Sequence, residues 1–423
     1  MKEDNNNLEQ TKNSVEETQE TKKSNVQFYK YAAINFTFFI TMTFGGYVTV
    51  FLQSIGFNAQ QVGMVTALNS GVGIFASPFW GMLSDKIRSV KKVAIFALTI
   101  GALTFALIPF ASRLSIGGMS FLFVLIPVTM FFRNPVMSLI DNWMLRNARE
   151  EKLNYGALRA YGALSFALAA LALGYIIPLT GVEFIFGINI IFALPAIFLL
   201  VFVRGSADDE GSGKKNLTFK EMQIGQLFKN YHLVTYIFFT VFQRIPFQSS
   251  MIFLPFLIYE VGGNIAQLGL IMGIRALVEI PMMLLLKPLR HRFPLYVLII
   301  AATTFFMLEA ILYSTANSFT MIIVISIFHG IGNGLMIPSG ASYVFSLAPE
   351  HLKATTQTML ASTTAVAGIL GGLVGGFLIM RIGIQQFYLI LGIMLSIALV
   401  LFILSFIIGE KVLGIKRPGL SLH

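Results

Sequence analysis

Eight ionisable side chains, Arg133, Asp141, Arg159, Arg244, Arg275, Glu279, Glu309 and His329, lie inside stretches of sequence otherwise apolar enough to cross a bilayer. A charge at the membrane centre costs roughly 2.5–3.5 kcal/mol even on lenient insertion scales, so such groups face a wet or paired interior that uses them. Their chemistry divides in two. Guanidinium forks can hold hydroxyl or carboxylate groups through paired hydrogen bonds, which makes Arg133, Arg159 and Arg244, with the amides Gln243 and Asn333, the candidates for holding a polar solute. Carboxylates and imidazole can exchange protons, so Asp141, Glu279, Glu309 and His329, with Arg275 as counter-charge, are the candidates for handling protons.

Local spacing suggests how these groups pair. Arg275 and Glu279 stand four apart on one helix and can bridge each other; the pair is either purely structural or alternates with a proton. Glu309 has no basic residue within a helical turn, and an unpartnered buried carboxyl favours its protonated form, so it is the leading proton carrier. The alternative is a side chain that reaches water at the outer mouth. Asp141 lies two turns beyond Arg133 but is rotated about 80° from it at 3.6 residues per turn, so it meets Arg159 of the next span instead. His329 is either a satisfied buried imidazole or a relay with Glu309.

Elements that could position these residues follow from composition. Of 423 residues, 56% are hydrophobic and 12% charged, with 40 Phe and a mean hydropathy of +0.75, whereas soluble chains carry about 25% charged residues. With spans of roughly 20 apolar residues, twelve fit, at 28–53, 59–83, 92–112, 117–142, 155–178 and 184–203, then 231–257, 264–286, 294–314, 319–346, 355–380 and 387–409. The expected fold is an all-α membrane protein of two six-helix bundles, 28–203 and 231–410. A polar tail over 1–27 without a cleavable signal pattern, a linker over 204–230 and a second tail over 411–423 complete it. Loop Lys and Arg lie almost wholly on the side of the N-terminus, with Arg113 and Arg381 opposite, which predicts both termini in the cytoplasm of a cell-membrane protein.

Several function classes are excluded or unsupported. There is no cysteine, so thiolate chemistry is absent, and no nucleotide-binding or zinc-protease motif occurs. An enzyme, a cofactor and a resident metal are therefore not expected. The net charge of +10 sits in short loops where it sets topology, so nucleic acid is not an expected partner. The expected partners are a small solute, protons and lipid, with the chain acting as a monomer.

The two halves echo each other. Ala59-Gln60-Gln61-Val62-Gly63 ahead of Pro78 is answered by Ala266-Gln267-Leu268-Gly269 ahead of Pro281, as in proteins built from repeats with a site between them. Pro127, Pro135, Pro195, Pro246, Pro255 and Pro338 predict bent helices around a cavity. Gly368, Gly372 and Gly376 place small residues four apart for close helix packing.

Gly81-Met82-Leu83-Ser84-Asp85-Lys86-Ile87-Arg88 between spans two and three resembles the G-x-L-x-D-[RK] loop motif of the major facilitator superfamily. The resemblance implies secondary transport by rocking of two halves, with Gly81, Asp85, Lys86 and Arg88 forming a gating loop and Asp85 latching an outward-open state. The matching position of the second half is Pro288, so the latch is one-sided. Tyr155-Gly156-Ala157-Leu158-Arg159-Ala160-Tyr161-Gly162 and Ile327-Phe328-His329-Gly330-Ile331-Gly332 are similar to segments of lactose-permease-like proton symporters, which implies a sugar contact at Arg159 and coupling at His329. Gly332 and Glu309 depart from that pattern. Gly269 to Met283 is similar to the eighth helix of sugar efflux transporters. Proton symport of a sugar-like or organic-acid solute is the expected activity, proton-antiport efflux of sugars or drugs the alternative, and a non-transporting solute sensor a third reading.

Overall fold

The structure is a computed structural model that describes residues 25–116, 118–203, 224–349 and 352–415. Most of the predicted linker and of both predicted tails lies outside these residues. The long helices are α1 (Asn25–Ser54), α2 (Ala59–Ile87), α3 (Val90–Ala106), α4 (Leu122–Glu150), α5 (Tyr155–Thr180), α6 (Phe184–Phe202), α7 (Tyr231–Glu260), α8 (Ile265–Arg292), α9 (Leu295–Tyr313), α10 (Phe319–Leu347), α11 (Lys353–Ile382) and α12 (Ile384–Lys411). All but α3 are by themselves long and apolar enough to cross a membrane. The third predicted span is divided at Leu107, ahead of Pro109, into α3 and a short helix Ile108–Ala111. Together the two pieces make that crossing.

Breaks in helical structure fall away from the prolines expected to bend their helices. Pro127, Pro135, Pro195, Pro246, Pro255 and Pro338 all sit inside continuous helices. Besides the break at Leu107, α1 tightens to a 3-10 turn over Phe44–Tyr47, at Gly45-Gly46, where glycine's low helix propensity weakens the α form.

The echo between the halves has a double structural meaning. Asn58 and Asn264 cap α2 and α8 reciprocally with Gln61 and Gln267, each cap closing two otherwise unpaired helix-end donors. The glycine that follows each cap then meets a helix of the other half. Gly63 of α2 lies so close to α11 that a Cβ would overlap the Gly372 carbonyl, and Gly269 of α8 abuts Gly174 of α5 in the same way. The α11 glycine stripe is thus a close-packing surface, and its partner is Ala59 to Ser70 of α2.

Packing differs at the two ends. Where α1 meets α2, one apolar core joins both halves through side chains such as Phe51, Phe186, Phe253 and Tyr388. Toward the opposite end the core separates into one cluster around Tyr31, Trp80 and Trp143 and another around Tyr236, Tyr343 and Phe402. The glycine contacts of α11 with α2 run from Gly376 against Ala59 to Gly368 against Ser70; Ile74 and Ser77, next along the same face of α2, are exposed. The halves therefore close at one end and part at the end carrying Lys86, Arg88, Arg149 and Lys152.

Candidate functional site

Glu309 of α9 is the centre of a buried network in the second half. Its Oε1 accepts from Arg275 Nη2 of α8 at 2.6 Å, and its Oε2 lies 2.9 Å from His329 Nδ1 of α10. Exposure is 3% for Glu309 and 4% for both partners, so the charges are held by one another and not by solvent. Arg275 Nη2 also donates to Tyr313 Oη at 3.0 Å; Tyr313 lies 2.7 Å from Ser326 Oγ, which donates to the Ile322 carbonyl. The donor chain thus ends on a helix backbone. Phe247 stacks on the imidazole at 5.3 Å between centroids, and Phe306 lies against it at 5.6 Å. These rings fix the plane in which His329 presents Nδ1.

This arrangement corrects the pairing expected from helical spacing. Arg275 does not bridge Glu279, and Glu309 is not unpartnered. The i,i+4 relation puts Arg275 and Glu279 on neighbouring positions of α8, but the long guanidinium stem turns into the α8–α9–α10 interior, where a desolvated carboxylate needs it most. Glu279, only partly buried, accepts instead from Asn333 Nδ2 of α10 at 2.8 Å.

Arg133 also has a different setting from the one expected of a solute contact. It is 3% exposed, donates to Asn189 Oδ1 at 3.0 Å and to the Thr41 carbonyl at 2.8 Å, and stacks over Phe105 at 4.3 Å. Asn189 donates to the same carbonyl at 3.2 Å. Thr41 closely precedes the 3-10 turn of α1, where the α-helical ladder changes register and a carbonyl at membrane depth needs an outside donor. Arg133 and Asn189 supply it.

Arg159 of α5 and Asp141 of α4 lie 3.9 Å apart, from Nε to Oδ1, and both are partly exposed, at 31% and 27% of their side chains. The guanidinium lies over the Phe39 ring at 4.1 Å. Its terminal nitrogens make no hydrogen bond among the described residues, which leaves the fork available to a solute. In the other half, Arg244 of α7 donates through Nη1 to Thr364 of α11, while its buried Nε has no partner among the described residues. Gln243 beside it is buried.

The residues singled out in the sequence therefore fall into separate groups. Arg275, Glu309 and His329 form one network, with Glu279 and Asn333 paired beside it, and Asp141 with Arg159 form another. Arg133 is in the first-half interior. Gly81, Asp85, Lys86 and Arg88 lie at the open end, where Arg88 takes a left-handed φ of 55° and its N–H closes on the Asp85 carbonyl at 3.2 Å. Sequence reasoning missed Tyr313, Ser326 and Asn189. Only Asn189, a lone amide in the apolar run of α6, carried a signal of its own.

A family model described as "MFS_1 like family" matches residues 28–390. An uncharacterised transporter, YwbF, of Bacillus subtilis (strain 168) is 27% identical over 351 residues, spanning 81% of this chain and 83% of the relative. The maltose permease of Geobacillus stearothermophilus is 26% identical over 363 residues, spanning 84% and 89%. Among solved structures, the nucleoside transporter NupG superposes with a TM-score of 0.74 at 17% identity, covering 90% of this chain and 99% of its own. A POT family transporter in complex with 5-aminolevulinic acid gives a TM-score of 0.63 at 16% identity, covering 92% and 96%. These two structures share the fold.

Proposed function

This chain belongs to the MFS_1 like family and is a membrane transporter, and from that premise we propose that it couples inward proton flow to uptake of a small sugar-like or organic-acid solute. The observation that carries the reading is the single carboxylate of Glu309 shared between Arg275 and His329. A proton on Glu309 removes the charge that holds Arg275, so binding and releasing one proton exchanges one set of interhelical contacts for another. In the conformer described here Glu309 is held by Arg275 while the basic end is open, which fits the state after proton release to that side. At about 100 mV, each translocated charge contributes roughly 2.3 kcal/mol, enough for about a 50-fold solute gradient.

The free fork of Arg159, oriented by Asp141 and Phe39, is the proposed solute contact in the first half; Arg244, with its partnerless Nε, and the Glu279–Asn333 pair are its proposed counterparts in the second. A planar guanidinium on an aromatic ring suits neighbouring hydroxyls of a sugar or a carboxylate. The maltose permease relative supports the sugar reading. Arg133 acts as a support for α1. The units 28–203 and 231–410 rock about the α2–α11 and α5–α8 contacts, with both termini in the cytoplasm and the protein working as a monomer in the cell membrane.

The test uses proteoliposomes with an imposed pH gradient, after a thermal-shift screen of sugars, nucleosides and carboxylates has selected a solute. Accumulation with inward proton flow, retained counterflow and lost accumulation in Glu309→Gln are the expected results. Expulsion of solute would point to antiport, and unchanged accumulation in the variant would remove Glu309 from the coupling step.

A further inference from the structure

The break in the third span creates a feature apart from the residues assigned above to solute and protons. Where the chain turns at Leu107 and Pro109, the short helix Ile108–Ala111 leaves α6, and a crevice of about 480 Å³ opens between them, at the end opposite the basic loops. That is within the range of about 300–1,000 Å³ of small-ligand sites. Its walls are apolar, with Phe110 on one side and Phe184, Ile188 and Ile191 on the other, and its rim carries two charges of opposite sign, Arg113 and Glu183. These side chains make no ion pair or hydrogen bond, with each other or with any neighbour, among the described residues. Arg113 is moreover one of two loop cations at this end, the side on which the positive-inside rule disfavours them.

We propose that this crevice holds a phospholipid with a primary ammonium headgroup, of the phosphatidylethanolamine type, from the adjoining leaflet. The pattern of the crevice matches each part of that molecule. The Arg113 guanidinium donates to the phosphate oxygens, a charge-assisted pairing for which its fork is shaped. The Glu183 carboxylate accepts from the ammonium group and repels headgroups of net negative charge. One acyl chain runs down the wall formed by Phe110, Ile188 and Ile191, toward the bilayer interior. Gly187 forms part of the lining, and a Cβ there meets no atom within 4 Å. The space beside it is therefore empty and belongs to the crevice.

The openness at Gly187 supplies the test. Gly187→Leu starts into open space, since a Cβ there meets no atom within 4 Å, and occupies the crevice, while Arg113→Gln removes the phosphate contact and Glu183→Gln the discrimination against anionic lipid. Delipidated full-length protein in detergent is titrated with phosphatidylethanolamine, phosphatidylglycerol and diacylglycerol, and read by native mass spectrometry and by melting temperature. Wild type binds phosphatidylethanolamine about tenfold more tightly than either other lipid, and Arg113→Gln and Gly187→Leu each lose about that factor. Glu183→Gln binds phosphatidylglycerol and phosphatidylethanolamine alike. Lipid-free melting of Arg113→Gln matches wild type, which separates binding from folding. Equal phosphatidylethanolamine binding by wild type and both of those variants, equal binding of diacylglycerol, or a protein dimer in place of the lipid adduct would overturn the assignment. None of these readouts depends on transport.

Discussion

Neutralising Glu309 exposes the buried network to a quantitative test. Glu309→Gln removes the charge that faces Arg275 at 2.6 Å and His329 at 2.9 Å, at a site where all three residues are at most 4% exposed. At an effective dielectric of about 20, unit charges about 4 Å apart attract by about 4 kcal/mol. Breaking a buried pair by removing one partner costs about 3–5 kcal/mol, because the remaining charge stays desolvated. Glutamine keeps one acceptor oxygen for Arg275, so the lower figure of about 3 kcal/mol is expected. Arg275→Gln should cost less, since protonation of His329 or Glu309 can relieve the carboxylate left behind. The double variant Arg275→Gln/Glu309→Gln has no orphaned charge and should lie within about 2 kcal/mol of wild type, well below the sum of the single losses. A double-mutant cycle in mixed micelles, with unfolding followed by steric trapping, measures these terms. A Glu309→Gln loss under about 1 kcal/mol, or losses that simply add, would refute the claim that Arg275 depends on this carboxylate.

Arg133→Met should destabilise the protein by about 1.5–3 kcal/mol, the worth of charged hydrogen bonds, yet leave solute affinity unchanged in a binding titration; a loss of affinity without a loss of stability would restore it as a solute contact. Arg159→Ala should abolish binding of the screened solute, and retained wild-type affinity would remove Arg159 from the site. Gly63→Leu, which drives a side chain into the Gly372 carbonyl, should cost about 1–3 kcal/mol by overpacking and shift the population toward the conformer open at the opposite end. Because the chain has no cysteine, the near-isosteric Ser77→Cys reports that shift directly. Thiol labelling from the basic side should be fast in the wild-type background and slower with Gly63→Leu, and equal rates would count against the α2–α11 contact as the closing surface.

The spans, the small-residue stripe and the loop motif were legible because each depends on local sequence. Hydropathy over about 20 residues is sufficient for a membrane crossing, and glycines four apart share a helix face whatever lies opposite. The meeting of Asp141 with Arg159 was legible for a similar reason, since the short connection between α4 and α5 makes those helices sequence neighbours. The two local breaks in helical structure were not. Six intramembrane prolines lie in unbroken helices, while the divisions fell at Gly45-Gly46 and Leu107, because neighbouring side chains decide which freed backbone groups can be satisfied.

The sequence by itself determined which residues are costly in a membrane, and that together they imply a polar route through lipid. Tertiary structure decided which partner each one answers to: Glu309 and not Glu279 for Arg275, the α1 backbone for Arg133, and Asn333 for Glu279. Helical periodicity reports the direction in which a side chain leaves its own helix. It does not report which helix stands opposite, and a long guanidinium stem can reach either way. That choice falls to the partner whose charge is least solvated, a property of the packed protein.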